Sequence, residues 1–171
     1  MALRRIRTYP DPVLKEKCKP VRKIDDGVRQ TLQDMAEAMY ASNGVGLAAS
    51  QVGESIRLIV LDVNREENGS ELLKLVNPTI TERSGRIESE EGCLSLPDLV
   101  VEVDRDEKVV VEAFLPDGTP TRIEAEGLLS IALQHEIDHL DGILLVDRLS
   151  SLRRNLYLKK RLKEESSAVA L

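Results

Sequence analysis

The chain has 171 residues, 42% of them apolar and 32% charged, with a net charge of −6. That is length for one domain and an ordinary balance for a folded chain, so disorder is excluded and binding of nucleic acid in general is disfavoured. Three Tyr, one Phe and no Trp leave an aliphatic core without a platform for stacking bases.

In chain order, residues 28–40 place Val28, Leu32, Met35 and Met39 at spacings of four, three and four, which predicts an amphipathic helix. SNG then leads into a glycine-containing segment, GVGLAASQVG (44–53). Strands are predicted over 56–61, 72–76, 108–114 and 119–124, the last two joined as a hairpin by LPDG, a good turn signal. A second helix is expected over 127–141, with Leu128, Ile131, Ala132, His135 and His139 on one stripe and Gly142 just past its end. Ser150 is placed to cap a terminal helix that carries Leu152, Leu156 and Leu162, leucines expected to fasten it to the body. Strands in the middle with helices around them give an α+β fold. Residues 1–171 are expected to form one catalytic domain, with 151–171 as a helical extension.

Charge is uneven. From Ser151 onward Arg153, Arg154, Lys159, Lys160, Arg161 and Lys163 oppose Glu164 and Glu165, giving +4 on a body of −10. Cys18 and Cys93 are too few for a disulfide framework. No apolar run approaches the ~18 residues of a membrane span. The start, MALRRIRTYPDP, has no apolar stretch after its arginines, so no secretory signal is expected. A reducing cytoplasm is the expected compartment, a mature organellar protein the alternative, with no membrane and no specific DNA as partner.

Both histidines of the chain lie in QHEIDH. Imidazoles four apart on a helix reach one ion, with Glu136 beside it as general acid/base. Two ligands need a third. A third histidine after Gly142 is ruled out by Leu145, and Glu164 and Glu165 stand in a polar, basic tail. Cys93, in EEGCLSLP, is the better third ligand, since a thiolate binds such ions strongly. Gly92 before it permits close backbone approach, whereas Cys18, in the polar run KEKCKP, has no company that suggests chemistry. Two rival readings use the same pair: a short zinc peptidase that does not need Cys93, and a structural metal site, for which a fourth ligand is lacking.

Three segments in order, GVGLAASQ (44–51), EGCLS (91–95) and HEIDHLDG (135–142), together resemble the peptide deformylase family, in the bacterial form that ends in a helix. The resemblance implies removal of the N-formyl group from the formyl-methionine of nascent polypeptides, with release of formate. It implies an α+β fold with strands packed around a central HExxH helix. It further implies Cys93, His135 and His139 as ligands of one divalent metal ion, with Fe(II) native and Zn(II), Ni(II) or Co(II) able to replace it. Glu136 would be the catalytic acid/base, with Gln51 and the Leu94 N–H stabilising the oxyanion. On that reading Gly44 and Gly46 let a strand lie against the substrate, and Val45, Leu128, Ile131 and Ala132 wall a methionine pocket, though core packing serves each equally well. The terminal helix is expected to meet the ribosome, where formylated chains emerge. The run PDLV (97–100) departs from the aromatic and arginine that many relatives carry there, a departure that bears on peptide preference.

Overall fold

The computed structural model describes residues 3–64 and 71–169. Its elements run α1 (Asp26–Ala41), β1 (Gly46–Ala48), β2 (Leu58–Leu61), β3 (Leu73–Ser84), β4 (Ile87–Cys93), β5 (Leu96–Arg105), β6 (Lys108–Phe114), β7 (Pro120–Glu126), α2 (Leu128–Leu140) and α3 (Ser151–Val169). Short 3₁₀ turns lie at Pro12–Lys15, Ala49–Val52 and Leu145–Arg148. Five strands form an antiparallel sheet in the order β1-β2-β3-β6-β7, and β4 and β5 form a separate two-stranded arm. The α+β class follows. No helix among the described residues is long and apolar enough to cross a membrane.

β2 explains the layering. Its run LIVL is buried throughout, yet period-two alternation sends neighbours to opposite faces. Ile59 and Leu61 pack with Leu133, Ile137 and Leu140 of α2. Leu58 and Val60 pack with Leu32, Met35 and Met39 of α1. One sheet therefore has a helix on each side. α1 starts where Asp25 accepts a hydrogen bond from the Val28 N–H, 3.0 Å, a side-chain cap for an otherwise unpaired donor.

The hairpin β6–β7 forms as predicted, Leu115 N–H bonding Thr119 O at 2.9 Å with Gly118 at φ +87. β2 is shorter than predicted at its start, because Ile56 and Arg57 are drawn into pairing with Lys19. β3 is longer. Its polar end TERS pairs with β6 despite an irregularity at Asn77, whose side chain bonds both backbone groups of Val21 at 2.8 Å. β4 and β5 are strands the sequence does not announce. Their outward faces are rich in Glu and Asp, poor strand formers, while Val101 and Val103 are buried.

Two expectations about packing need correction. Leu152, Leu156 and Leu162 do not fasten α3, being 69%, 57% and 48% exposed. Tyr157 and Arg161 are the buried residues of that helix, so Arg161 is withdrawn from the basic surface. Ser150 does cap α3, accepting from the Arg153 N–H at 3.3 Å. Cys18 is 3% exposed and sits in the core against α2, its N–H on Leu140 O at 2.8 Å. Its charged neighbours hide that burial from a reading of sequence.

Candidate active site

α2 is buried along most of its length, so the residues it carries cannot shift freely. It ends at Gly142, φ +73, where a Cβ would lie 2.5 Å from Lys15 O. Only glycine fits that turn. His135 and His139 share a face, their rings 5.1 Å apart and nearly edge to face. Cys93, at the end of β4, brings its Sγ to 3.3 Å from His139 Nε2. One donor atom from each of Cys93, His135 and His139 lies within 4.8 Å of the others.

Each imidazole has a different environment. His135 Nδ1 lies 2.9 Å from Glu91 Oε1. That contact turns its Nε2 towards Cys93 and His139, the usual way a carboxylate fixes a ligating histidine. Burial lowers the His135 pKa, but the bonds to Cys93 and Glu91 outweigh it and lift it to about 10, so a cation must displace a proton to bind. Burial holds His139 well below its usual pKa, which keeps it neutral, as ligation requires.

Glu91 is itself held. Burial favours its neutral form, yet two bonds from Arg105, at 2.9 and 2.7 Å, with the contact to His135, bring its pKa down to about 2. Arg105 also bonds Asp138 at 2.6 Å, and Asp138 accepts from Arg148 at 3.0 Å. Sequence reading missed Glu91, Arg105 and Asp138 as parts of the site. Glu91 and Asp138 lie inside the quoted motifs, but Arg105 enters only through the β4–β5 pairing.

Glu136 is 5% exposed, and its Oε2 has no hydrogen-bond partner among the described residues. Burial pushes its carboxyl up to about 7, and a nearby cation would draw it back down. Gly46 lies against it: a Cβ there would be 2.6 Å from Oε1. Gln51, 1% exposed, accepts from the Ala48 N–H at 2.9 Å. Its amide donates to Ser95 Oγ at 3.0 Å and lies 3.6 Å from Cys93 Sγ. Leu94 follows Cys93 in the tight turn between β4 and β5.

These groups open on a cavity of about 510 Å³ lined by Gly44, Val45, Gly46, Gln51, Glu91, Cys93, Leu94, Leu128, Ile131, Ala132, His135 and Glu136, among others. All the sequence-named site residues line it except His139, which lies behind. Ala132 belongs to the core as well. Gly92 is not a close approach, since a Cβ there would meet only Leu99 O at 3.7 Å. Glu164 is bonded to Arg161 on α3 and Glu165 lies beside it; neither belongs to the donor cluster.

A buried carboxyl beside a thiol, two imidazoles and an amide is equipment for hydrolysing an acyl group. The model of the polypeptide deformylase family matches residues 3–155. A peptide deformylase of Thermodesulfovibrio yellowstonii is 49% identical over 160 residues, covering 94% of this chain and 97% of that protein. One of Syntrophobacter fumaroxidans is 45% identical over 170 residues, covering 99% and 100%. The crystal structure of a peptide deformylase from Legionella pneumophila superposes with a TM-score of 0.89 at 43% identity, covering 99% of this chain and 98% of the other. That of the Ehrlichia chaffeensis enzyme with actinonin gives 0.90 at 35% identity, covering 96% and 99%. The chain belongs to the polypeptide deformylase family, whose members remove N-formyl groups from nascent peptides.

Proposed function

We propose that this chain hydrolyses the formyl amide of formyl-methionyl peptides at one divalent ion held by Cys93, His135 and His139. The observation that carries the reading is the convergence of one thiol and two imidazoles within 4.8 Å of one another, beside a buried carboxyl. One thiol and two imidazoles are a donor set that would hold a divalent ion. When bound, that ion supplies the Lewis acidity that activates water and polarises the formyl carbonyl.

The chain's own residues do the rest. Glu136 takes the proton of the attacking water and returns it to the departing amine, which must be protonated to leave. Its burial suits that shuttle, because desolvation favours the protonated form that must donate to the amine and so opposes the pull of a bound cation. The Gln51 amide and the Leu94 N–H face the carbonyl oxygen as it gains charge. Val45, Leu128, Ile131 and Ala132 line the methionine pocket, where each buried methylene contributes about 0.8 kcal/mol. Gly44 and Gly46 make room for the site's own side chains rather than for the peptide: a Cβ would lie 2.8 Å from Leu94 Cδ1 at Gly44 and 2.6 Å from Glu136 Oε1 at Gly46.

Fe(II) is the native ion on this reading; a His2Cys set also accepts Zn(II), Ni(II) and Co(II). Residues 1–171 act as one catalytic domain with α2 as its central helix, working in the cytoplasm. The exposed cations of α3 that make no ion pair among the described residues (Arg153, Lys159, Lys163; Lys160 lies by Asp98 and Glu164) meet the ribosome, whose phosphates attract them in a salt-dependent way. Reversing those three charges should weaken ribosome co-sedimentation at low salt and spare turnover of a short formyl peptide. Undiminished co-sedimentation would remove the ribosome from the proposal.

The ligand set is tested by X-ray absorption of the cobalt-loaded protein. One sulfur and two nitrogen ligands are expected, with the sulfur lost in Cys93→Ala. An unchanged spectrum in that variant would support the zinc-peptidase reading, in which the thiol is dispensable.

A further inference from the structure

The turn that carries Cys93 and Leu94, residues 93–96, is held from two sides. From within, Gln51 bonds Ser95 Oγ. From outside, two tyrosines take its backbone. The Tyr9 N–H donates to Ser95 O at 2.8 Å, and the Tyr157 hydroxyl donates to Pro97 O at 2.9 Å. The two rings stack, 5.9 Å apart and 21° from parallel. Arg161, one helical turn beyond Tyr157, then fixes Tyr9: its Nε donates to Tyr9 O at 3.1 Å and its Nη2 to Thr8 Oγ1 at 3.1 Å.

A helix that needed only to dock would bury its leucines, since covering apolar surface is the main gain of docking. α3 instead leaves Leu152, Leu156 and Leu162 outside and buries Tyr157 and Arg161. Tyr157 aims its hydroxyl at the Pro97 carbonyl beside the turn, and Arg161 spreads its guanidinium over Tyr9 O, Thr8 Oγ1 and the Glu164 carboxylate of its own helix. Leu96 at the end of the turn is 1% exposed and packs in the same cluster as Tyr157, with Cys93 at its edge.

We propose that Tyr157 and Arg161 are positioning residues for the reaction: through Pro97, and through Tyr9 to Ser95, they hold the turn that presents the Cys93 thiolate and the Leu94 N–H. The inference rests on the roles proposed for those two groups. α3 is then part of the machinery, and its outer face remains available to a partner.

Tyr157→Phe in the full chain keeps the ring stack and removes only the bond to Pro97. A lost hydrogen bond of this kind is worth roughly a threefold to tenfold factor. The expected result is a fall of that size in kcat with KM unchanged, because the Leu94 N–H acts in the transition state alone. Release of Co(II) to a chelator should quicken by a similar factor, since the thiolate is held less firmly. Arg161→Met should do the same, and Asn155→Ala on the exposed face should do neither. If Arg161→Met does not fold, Tyr157→Phe decides alone. Wild-type kcat and wild-type Co(II) release in Tyr157→Phe would overturn the proposal, whatever happens to Tm. Formate release by the wild-type protein is measured alongside. Its absence would sink the deformylase mechanism, while the chelator readout would still judge the brace.

Discussion

Replacing Gly46 by alanine tests how tightly the site is built. β1 runs past Glu136 so closely that the new methyl would lie 2.6 Å from Oε1 and 3.0 Å from Cδ and Cγ, against 3.4 Å for ordinary contact. The backbone there suits any residue, because Gly46 is not among the glycines with positive φ. The obstacle is the end of a side chain, which retreats more readily than backbone. The carboxylate should therefore yield by roughly 1 Å, and a displacement of that size at a catalytic group costs about 10²-fold in rate. Overpacking should cost only about 1–3 kcal/mol of stability. Formate release, metal content and thermal unfolding are to be measured on one nickel-loaded sample. The expected outcome is a folded, metal-replete protein whose kcat has fallen about a hundredfold. Turnover within a factor of three of wild type would refute the placement of Glu136 against β1 as a condition of catalysis.

Other perturbations separate the remaining roles. Glu136→Gln should keep the ion and lower kcat by about 10²–10⁴-fold, and loss of metal in that variant would make the residue structural. Gln51→Leu should cost about 2.7–4 kcal/mol of transition-state stabilisation, read from kcat/KM, and a loss confined to KM would remove it from the oxyanion site. Arg105→Met leaves the buried Glu91 carboxylate with only its contact to His135, while the half-buried Asp138 keeps Arg148, and should cost about 3–5 kcal/mol in urea unfolding; an unchanged midpoint would show that the ion pair contributes nothing net. Protein purified anaerobically with iron should lose activity in air through oxidation of the ion and its thiolate environment, and the nickel form should not. Equal air stability of both forms would argue against Fe(II) as the native ion.

The histidine pair of the donor cluster was legible because a helix turns spacing into direction. His135 and His139, four apart, had to share a face, and the pattern of apolar residues before them fixed which face. The hairpin LPDG was legible for a similar local reason. β4 and β5 were not, since their exposed Glu and Asp suppress the strand signal that Val101 and Val103 would give. With that arm went Arg105, whose role depends on a pairing across 14 residues to Glu91. The terminal helix misled in another way: Leu152, Leu156 and Leu162 carry an apolar signal, yet the buried face is set by Tyr157 and Arg161. Polar atoms that find partners on a distant turn leave no periodic trace.

The most direct test of the central claim is formate release from formyl-Met-Ala-Ser, followed as apoprotein is titrated anaerobically with Fe(II). Activity should rise linearly and stop at one ion per chain, and the Cys93→Ala, His135→Ala and His139→Ala proteins should stay inactive throughout. Full activity without a bound ion, or an unchanged titration in the Cys93 variant, would contradict a deformylase built on this triad.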